Sequence, residues 1–199
     1  MSTGESSDLP APTRLRFEHL DTGFGLGYAT PRLSWQLAVA PTGVSITAVE
    51  AELTGSAGAA TRRRIDPDQQ VLAPWPFPPL PSRFHGALRM RLVAGDLTGP
   101  WSDAADIETT LLDAADWTAR FISPRGIGRA GEPAPILSRA FDVPVGIVAA
   151  RLHVTALGLH VTTINGARVS DEELAPGWTS YPHRLRFRTH DVTALLRPG

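Results

Sequence analysis

The sequence predicts an all-β chain built from two consecutive sandwich-type units, and three observations carry that expectation. Apolar residues recur at every second position in short runs, the signature of strands that bury one face. Eighteen prolines and eighteen glycines punctuate those runs at turn positions. Helical character is confined to one brief stretch, LLDAADW at 111–117.

The first residues, MSTGESSDLPAPT, are polar and proline-rich, and residues 1–13 are expected to be disordered. From Leu15 the pattern LRFEHL alternates, a glycine-rich passage DTGFGLGYATP follows, and Leu33, Trp35, Leu37 and Val39 then mark an inward face at period two. VSITAVEAELT at 44–54 supplies a third strand. GSAGAATRRRIDPDQQ reads as a turn followed by an exposed edge strand, on which Arg62, Arg63 and Arg64 protect the edge by charge. A nucleic-acid surface would want aromatics interleaved with these arginines, and the local sequence has none.

APWPFPPLPSRF carries five prolines around Trp75 and Phe77, which excludes a central strand and predicts a loop whose aromatics pack inside the same domain. Leu88, Met90, Leu92 and Ala94 alternate along a strand, GDLTGPW turns, and Ala105, Ile107 and Thr109 alternate along its partner. About seven short strands at regular spacing describe an immunoglobulin-like or fibronectin type III-like sandwich over residues 14–110. Residues 111–135 read as a connector, with Trp117 anchored, Asp113 and Asp116 capping a short turn, and a Gly/Pro-rich passage behind them.

The densest signal lies at 151–196. Leu152, Val154 and Ala156 alternate with polar residues, Leu159 and Val161 resume in the other phase, and Gly158 between them predicts a bulge or bend. Asn165 and Gly166 predict a two-residue hairpin loop, since both tolerate positive φ. Leu185 and Phe187 alternate with Arg184, Arg186 and Arg188, as expected of a strand with one buried face, and Asp191 is expected to cap the turn DVTALL.

Composition excludes several function classes. Nineteen basic residues, all arginine, face twenty acidic ones, so no net field favours nucleic acid or an anionic membrane. The absence of cysteine removes thiol catalysis, thiolate zinc sites and disulfides. The first residues show neither a positive n-region nor an apolar h-region, and no run approaches transmembrane length, so a soluble cytoplasmic protein is expected.

PRLSW at 31–35, GPWS at 99–102, ETTLLDAADW at 108–117 and PAPILSRAF at 133–141 join ARLHVTALGLHVTTINGARV and ELAPGWTSYPHRLRFRTHDVTALL in one order. Together they resemble the N-terminal portion of bacterial α-L-rhamnosidases. The resemblance implies an inverting glycoside hydrolase acting on terminal α-L-rhamnosides. It also implies several β-sandwich domains ahead of an (α/α)6 catalytic barrel that holds both catalytic carboxylates. Residues 136–199 would be the first part of a jelly-roll-like domain, incomplete at Gly199. The barrel motifs have no counterpart here, so no catalytic residue, cofactor or metal ligand is carried over. The partners implied are rhamnose-containing glycosides, reached through the parent enzyme, and the missing catalytic barrel.

Read for chemistry of its own, the sequence offers little. Inversion needs carboxylates roughly 6.5–9.5 Å apart across a cleft, whereas Asp171, Glu172 and Glu173 are adjacent on what should be a solvated loop. Histidines 19, 85, 153, 160, 183 and 190 show no metal-ligand spacing, although His153 and His160 are expected on neighbouring strands. GFGLGYA has the glycines of a weak dinucleotide pattern but no helix behind it. Trp178, Tyr181 and Arg184 are candidates for carbohydrate contact, against a packing role in which Trp178 plugs the sandwich end. The expected function is a non-catalytic N-terminal portion, inactive alone; the alternative is a free-standing carbohydrate-binding or protein-docking module. Uncovered strands and apolar faces predict an aggregation-prone chain.

Overall fold

Strand alternation becomes a layered structure only where its apolar row finds a partner, and the two parts of the chain differ in this respect. The computed structural model describes residues 9–39, 43–125, 131 and 133–199, which are all-β apart from two single-turn 3-10 segments. They divide into two compact units, one up to Trp117 and one from Thr118.

The first unit contains β1 (Pro12–Phe17), β2 (Gly23–Leu26), β3 (Leu33–Leu37), β4 (Ala48–Gly55), β5 (Ala60–Ile65), β6 (His85–Ala94), β7 (Leu97–Thr98) and β8 (Ala105–Thr109). Its larger sheet runs β2-β8-β6-β4-β5, with β7 folded back on β6; β1 and β3 form a second antiparallel pair. Register sorts the residues into two faces. Ala51 stands between Met90 and Arg63, Val49 opposite Leu92 and Leu53 opposite Leu88, so one face of β4 and β6 is apolar. That face packs with Phe17, Leu26, Leu33, Trp35 and Ile107 into one buried core. This is the immunoglobulin-like sandwich that the alternation predicts.

The proline-rich loop lies inside the unit, as expected. Trp75, Phe77 and Leu80 are buried, the Trp75 and Phe77 ring centroids are 5.1 Å apart, and Trp75 Nε1 donates to the Pro78 carbonyl at 3.0 Å. Other details depart from the expectation. Val39 is 69 % exposed, because β3 ends at Leu37 and its inward row ends there too. Order begins earlier than residue 14: Leu9 is buried and packs over Gly99, where a Cβ would come within 2.9 Å of the Leu9 side chain. Residues 1–8 of the segment expected to be disordered lie outside the described residues, as do residues 126–130 and 132 of the connector. The 94–105 passage is more than a simple turn, since β7 pairs with the end of β6 and β8 with its beginning, Leu88 standing opposite Ala105.

At the end of this unit Asp113 caps the 3-10 turn Ala114–Asp116, accepting from the Ala115 amide at 2.8 Å, while Asp116 closes the reciprocal bond to the Asp113 amide. Asp116 also accepts from the Ser82 hydroxyl, which with that backbone bond holds its carboxyl below the usual range. Trp117 is half-buried.

The second unit contains β9 (Arg151–Val154), β10 (Thr163–Ile164), β11 (Ala167–Arg168) and β12 (Arg188–Asp191). β9 pairs antiparallel with β12, and β10 with β11. Asn165 and Gly166 have φ of 51° and 81°, the left-handed pair that a two-residue hairpin requires. Gly158 has φ 129° and sits in the expected bend, but the strand alternation expected to resume after it does not: residues 157–162 lie outside the strands, and Leu159 and Val161 are exposed. The strand expected over Leu185–Phe187 is shorter: Leu185 and Phe187 are half-buried and Arg186 exposed, all three outside the strands, and pairing starts only at Arg188. Asp191 accepts from the Thr193 amide at 2.9 Å and hydroxyl at 2.6 Å, tying down the turn Thr193–Leu195.

Candidate functional site

The three residues singled out for carbohydrate contact lie on the loop between Leu174 and Phe187, ahead of β12. Trp178 is 78 % exposed, so it does not plug the unit as a packing role would require. The chain folds sharply behind it: the His183 and Arg184 amides both donate to the Ser180 carbonyl, at 2.9 and 3.0 Å, and Thr179 Oγ1 donates to the Arg184 carbonyl at 2.6 Å. This closed turn carries Tyr181 half-buried and leaves the Arg184 side chain exposed. The loop therefore presents an indole face and a guanidinium to the outside from a tethered backbone, which is the chemistry of a stacking contact with hydrogen-bond donors nearby.

Beside this loop is a polar cluster that sequence reasoning missed. Arg188 on β12 closes on Glu172 with Nε at 2.8 and 2.7 Å from the two carboxylate oxygens and Nη2 also on Oε1. This pair holds the Glu172 carboxyl below its ordinary range and raises the guanidinium. His160 faces the pair: its amide donates to the Ala175 carbonyl at 2.8 Å, its Nδ1 lies 3.0 Å from Thr162 Oγ1, and its Nε2 is buried with no partner. His160 and His190 line a recess of about 10 Å³ together with Thr162, Ser170, Glu172 and Ala175. Burial, more than any neighbouring charge, lowers the pKa of both histidines.

The recess is far below the roughly 300 Å³ at which ligand pockets begin. It has room for about one water molecule and none for a sugar ring. The expectation that His153 and His160 lie on neighbouring strands is corrected: His153 is on β9, its Nδ1 2.9 Å from Thr189 Oγ1 of β12, whereas His160 lies outside the strands, near His190. Sixteen residues separate Glu172 from Arg188 and thirty separate the two histidines, so local spacing carried no signal. Of the acidic triplet, Glu172 is taken by Arg188, Glu173 accepts from Arg168 at 3.0 Å, and Asp171 is exposed. No group of three histidine, aspartate or glutamate side chains able to hold a metal ion occurs among the described residues. No helix among them is long and apolar enough to cross a membrane.

On the first unit, the Arg62–Arg64 run lies on the edge strand β5, as expected, yet it is not merely solvated. Glu52 accepts from Arg62 at 2.6 Å and from Arg89 at 2.7 Å, and Glu50 from Arg91 at 2.9 Å. Hydrogen bonds from Arg62 to Glu52 and from Arg91 to Glu50 keep both carboxyls below their ordinary range. An aromatic does stand among the arginines, contributed from elsewhere in the chain: Trp101 lies under the guanidinium groups of Arg62, Arg89 and Arg91, at 5.5, 4.7 and 4.5 Å. With their charges taken up by carboxylates, these arginines form a sheet-face ladder rather than a stacking platform.

Comparison with known proteins agrees with this layout. Residues 12–113 match the family model described as the Rha78A-like N-terminal immunoglobulin domain, and residues 146–199 match the alpha-L-rhamnosidase N-terminal domain. An α-L-rhamnosidase of Formosa agariphila is 28 % identical over all of this chain and 23 % of its own length, and one of Alteromonas sp. is 34 % identical over 51 % of this chain and 12 % of its own. The crystal structure of the Aspergillus terreus α-L-rhamnosidase superposes with a TM-score of 0.78 at 34 % identity, covering 95 % of this chain and 22 % of that one. The Dictyoglomus thermophilum enzyme, at 24 % identity and TM-score 0.83, shares the fold over 98 % of this chain and 24 % of its own. The chain thus spans less than a quarter of the length of the curated relatives it matches. Through residues 12–113, just over half of its length, the chain belongs to the family of Rha78A-like N-terminal immunoglobulin domains.

Proposed function

We propose that this chain acts as the non-catalytic N-terminal portion of an α-L-rhamnosidase-like glycoside hydrolase, supporting the part that performs inverting hydrolysis of terminal α-L-rhamnosides. In this reading residues 14–110 are the fibronectin III-like domain, 111–135 the connector and 136–199 the beginning of a jelly-roll-like domain. The compact units on either side of Trp117 and Thr118 support that division.

One observation carries the supporting role. Along 157–162 the apolar residues are exposed, Leu157, Leu159 and Val161 by 62, 55 and 68 %, while the half-buried His160 and Thr162 alternate with them at the polar recess, whose rim Val161 also reaches. Solvent gives no reason to keep such a row apolar, whereas a docked neighbouring domain does. The partner is the catalytic portion that longer α-L-rhamnosidases carry. The experiment is complementation: a relative's polypeptide lacking its matching N-terminal stretch is mixed with this chain and assayed on p-nitrophenyl α-L-rhamnoside. The chain alone is expected to be inactive, and to raise the activity or thermal stability of the partner in a manner lost in Leu159→Arg. Turnover by the chain alone, abolished by a single carboxylate substitution, would overturn the reading.

A second reading is favoured by the exposure of Trp178 together with Arg184: direct contact with a rhamnose-containing glycoside, as in a carbohydrate-binding module. A saturable L-rhamnose titration that vanishes in Trp178→Ala, with unchanged folding, supports it; absence of heat in calorimetry counts against it.

A further inference from the structure

We propose that His160 and His190 form an acid-sensitive latch that holds the 157–175 segment against β12 at neutral pH and releases it in mild acid. A charged imidazole needs acceptors for both N–H groups. His160 has one candidate, Thr162 Oγ1 at 3.0 Å from Nδ1, while Nε2 is buried with nothing to accept from it.

Of the charges around the site, Glu172 favours a proton and Arg188 opposes it, and burial outweighs both. Arg188 faces both histidines from β12, and Glu172 is the nearby carboxylate, already spanned by that guanidinium through both oxygens. Arg168, from the β10–β11 hairpin, also lines the recess, and its charge is matched by Glu173. On β9, Arg151 pairs with Asp191 at 3.1 Å and His153 lies against Thr189. With both histidines neutral, two arginines face two glutamates. With both protonated, the cluster carries two uncompensated positive charges in a space with room for one water.

The mechanical consequence follows from connectivity. His160 donates its amide to the Ala175 carbonyl and Val169 its amide to the Thr162 carbonyl, which closes the segment on itself at the open end of the hairpin, and Glu172 joins it to Arg188 on β12. Repulsion between His160 and His190 acts between this segment and β12, and opening relieves it by letting water reach Nε2. The sign is set by burial: both histidines titrate below 6.5, the ordinary value, in the folded chain. The unfolded or opened form therefore takes up protons first. Closure is full above about pH 6.5 and is lost as pH falls through the lowered folded values. The apolar row Leu157, Leu159 and Val161 lies on the same segment. If the docking role holds, acid would disorganise the docking face; that extension rests on the proposed function, whereas the latch itself does not.

The test is hydrogen exchange on the full chain at pH 7.5 and 5.5, corrected for the intrinsic pH dependence of exchange. The Arg188 Nε–H, which donates to Glu172 across the latch, is expected to lose about tenfold or more in protection at pH 5.5, because each histidine that protonates in the open form but not in the closed one moves the opening equilibrium by up to about a factor of ten between these values. The amides of Leu88 and Met90 in the first unit should be unchanged. In the His160→Gln, His190→Gln double variant the pH response should disappear. Equal protection at both pH values, or an undiminished response in the double variant, would overturn the latch. Should the double variant be unfolded at neutral pH, NMR titration of the two histidines in the unaltered chain decides: midpoints below 6.5 support the latch, and midpoints at or above 6.5 overturn it.

Discussion

The guanidinium of Arg91 lies 4.5 Å from the centroid of the Trp101 ring, on the polar face of the sheet opposite the buried core. Arg89 and Arg62 stack on the same indole, so a single aromatic from the approach to β8 clamps two side chains on β6 and one on β5. Cation–π contacts contribute about 0.5–1 kcal/mol each when exposed and more when desolvated. Trp101→Leu, which retains apolar cover, should therefore lower the stability of the first unit by about 1–2 kcal/mol, read as a drop in its chemical-denaturation midpoint. An unchanged midpoint would mean the stacking is incidental.

Glu52 is the most deeply buried carboxylate of that ladder, and its two partners are exposed arginines on either side. Arg62 first, with Arg89 adding, holds its folded-state pKa below the ordinary 4.5. Because the folded chain gives up this proton more readily than the unfolded one, the stabilisation is complete above about pH 4.5 and fades as pH falls through the lowered value. Glu52→Gln should remove that acid dependence and cost about 1–2 kcal/mol at pH 7, the exposed arginines recovering part of the loss from water. Denaturation midpoints of the two proteins should converge once the pH has fallen below the lowered Glu52 value.

Much of the first unit was legible because its alternation is long and its partners are close to it in pattern: Leu88, Met90 and Leu92 point inward as their spacing requires, and the Pro-rich loop keeps Trp75 and Phe77 inside. Legibility failed where a run outlasted its pairing. Val39 continues the period of Leu33 and Trp35, but no strand continues under it, and periodicity alone cannot say where a ladder stops. In the second unit Leu185 and Phe187 keep the right period without forming a strand, for the same reason. The His160–Glu172–Arg188–His190 cluster was invisible because it is assembled by tertiary folding from a hairpin, a loop and a strand.

Exposure of Leu157, Leu159 and Val161 also predicts solution behaviour. Three apolar residues in an extended row without a strand beside them offer a template for self-association. The chain should bind a hydrophobic dye and form concentration-dependent oligomers in light scattering. Leu159→Glu with Val161→Thr should reduce both signals, while the unfolding midpoint of the first unit stays fixed. Monomeric behaviour of the unaltered chain at high concentration would show that the row is covered in solution.

The Asn165–Gly166 turn allows backbone geometry and side-chain contact to be separated. Both residues need positive φ, and Asn165 in addition donates from Nδ2 to the Leu195 carbonyl at 2.8 Å, fastening the hairpin to the turn after β12. Asn165→Gly keeps the conformation available and removes only that bond, so it should cost about 0.5–1.5 kcal/mol and speed exchange around Leu195. Gly166→Val places a β-branched residue at φ 81° and should cost more, roughly 1–3 kcal/mol, by strain at the turn itself. Nothing stands within 4 Å of a Cβ at Gly166, so this penalty would be conformational rather than steric crowding by neighbours. Equal costs for the two variants, measured by denaturation of the second unit, would show that the tether and not the left-handed turn holds the hairpin in place.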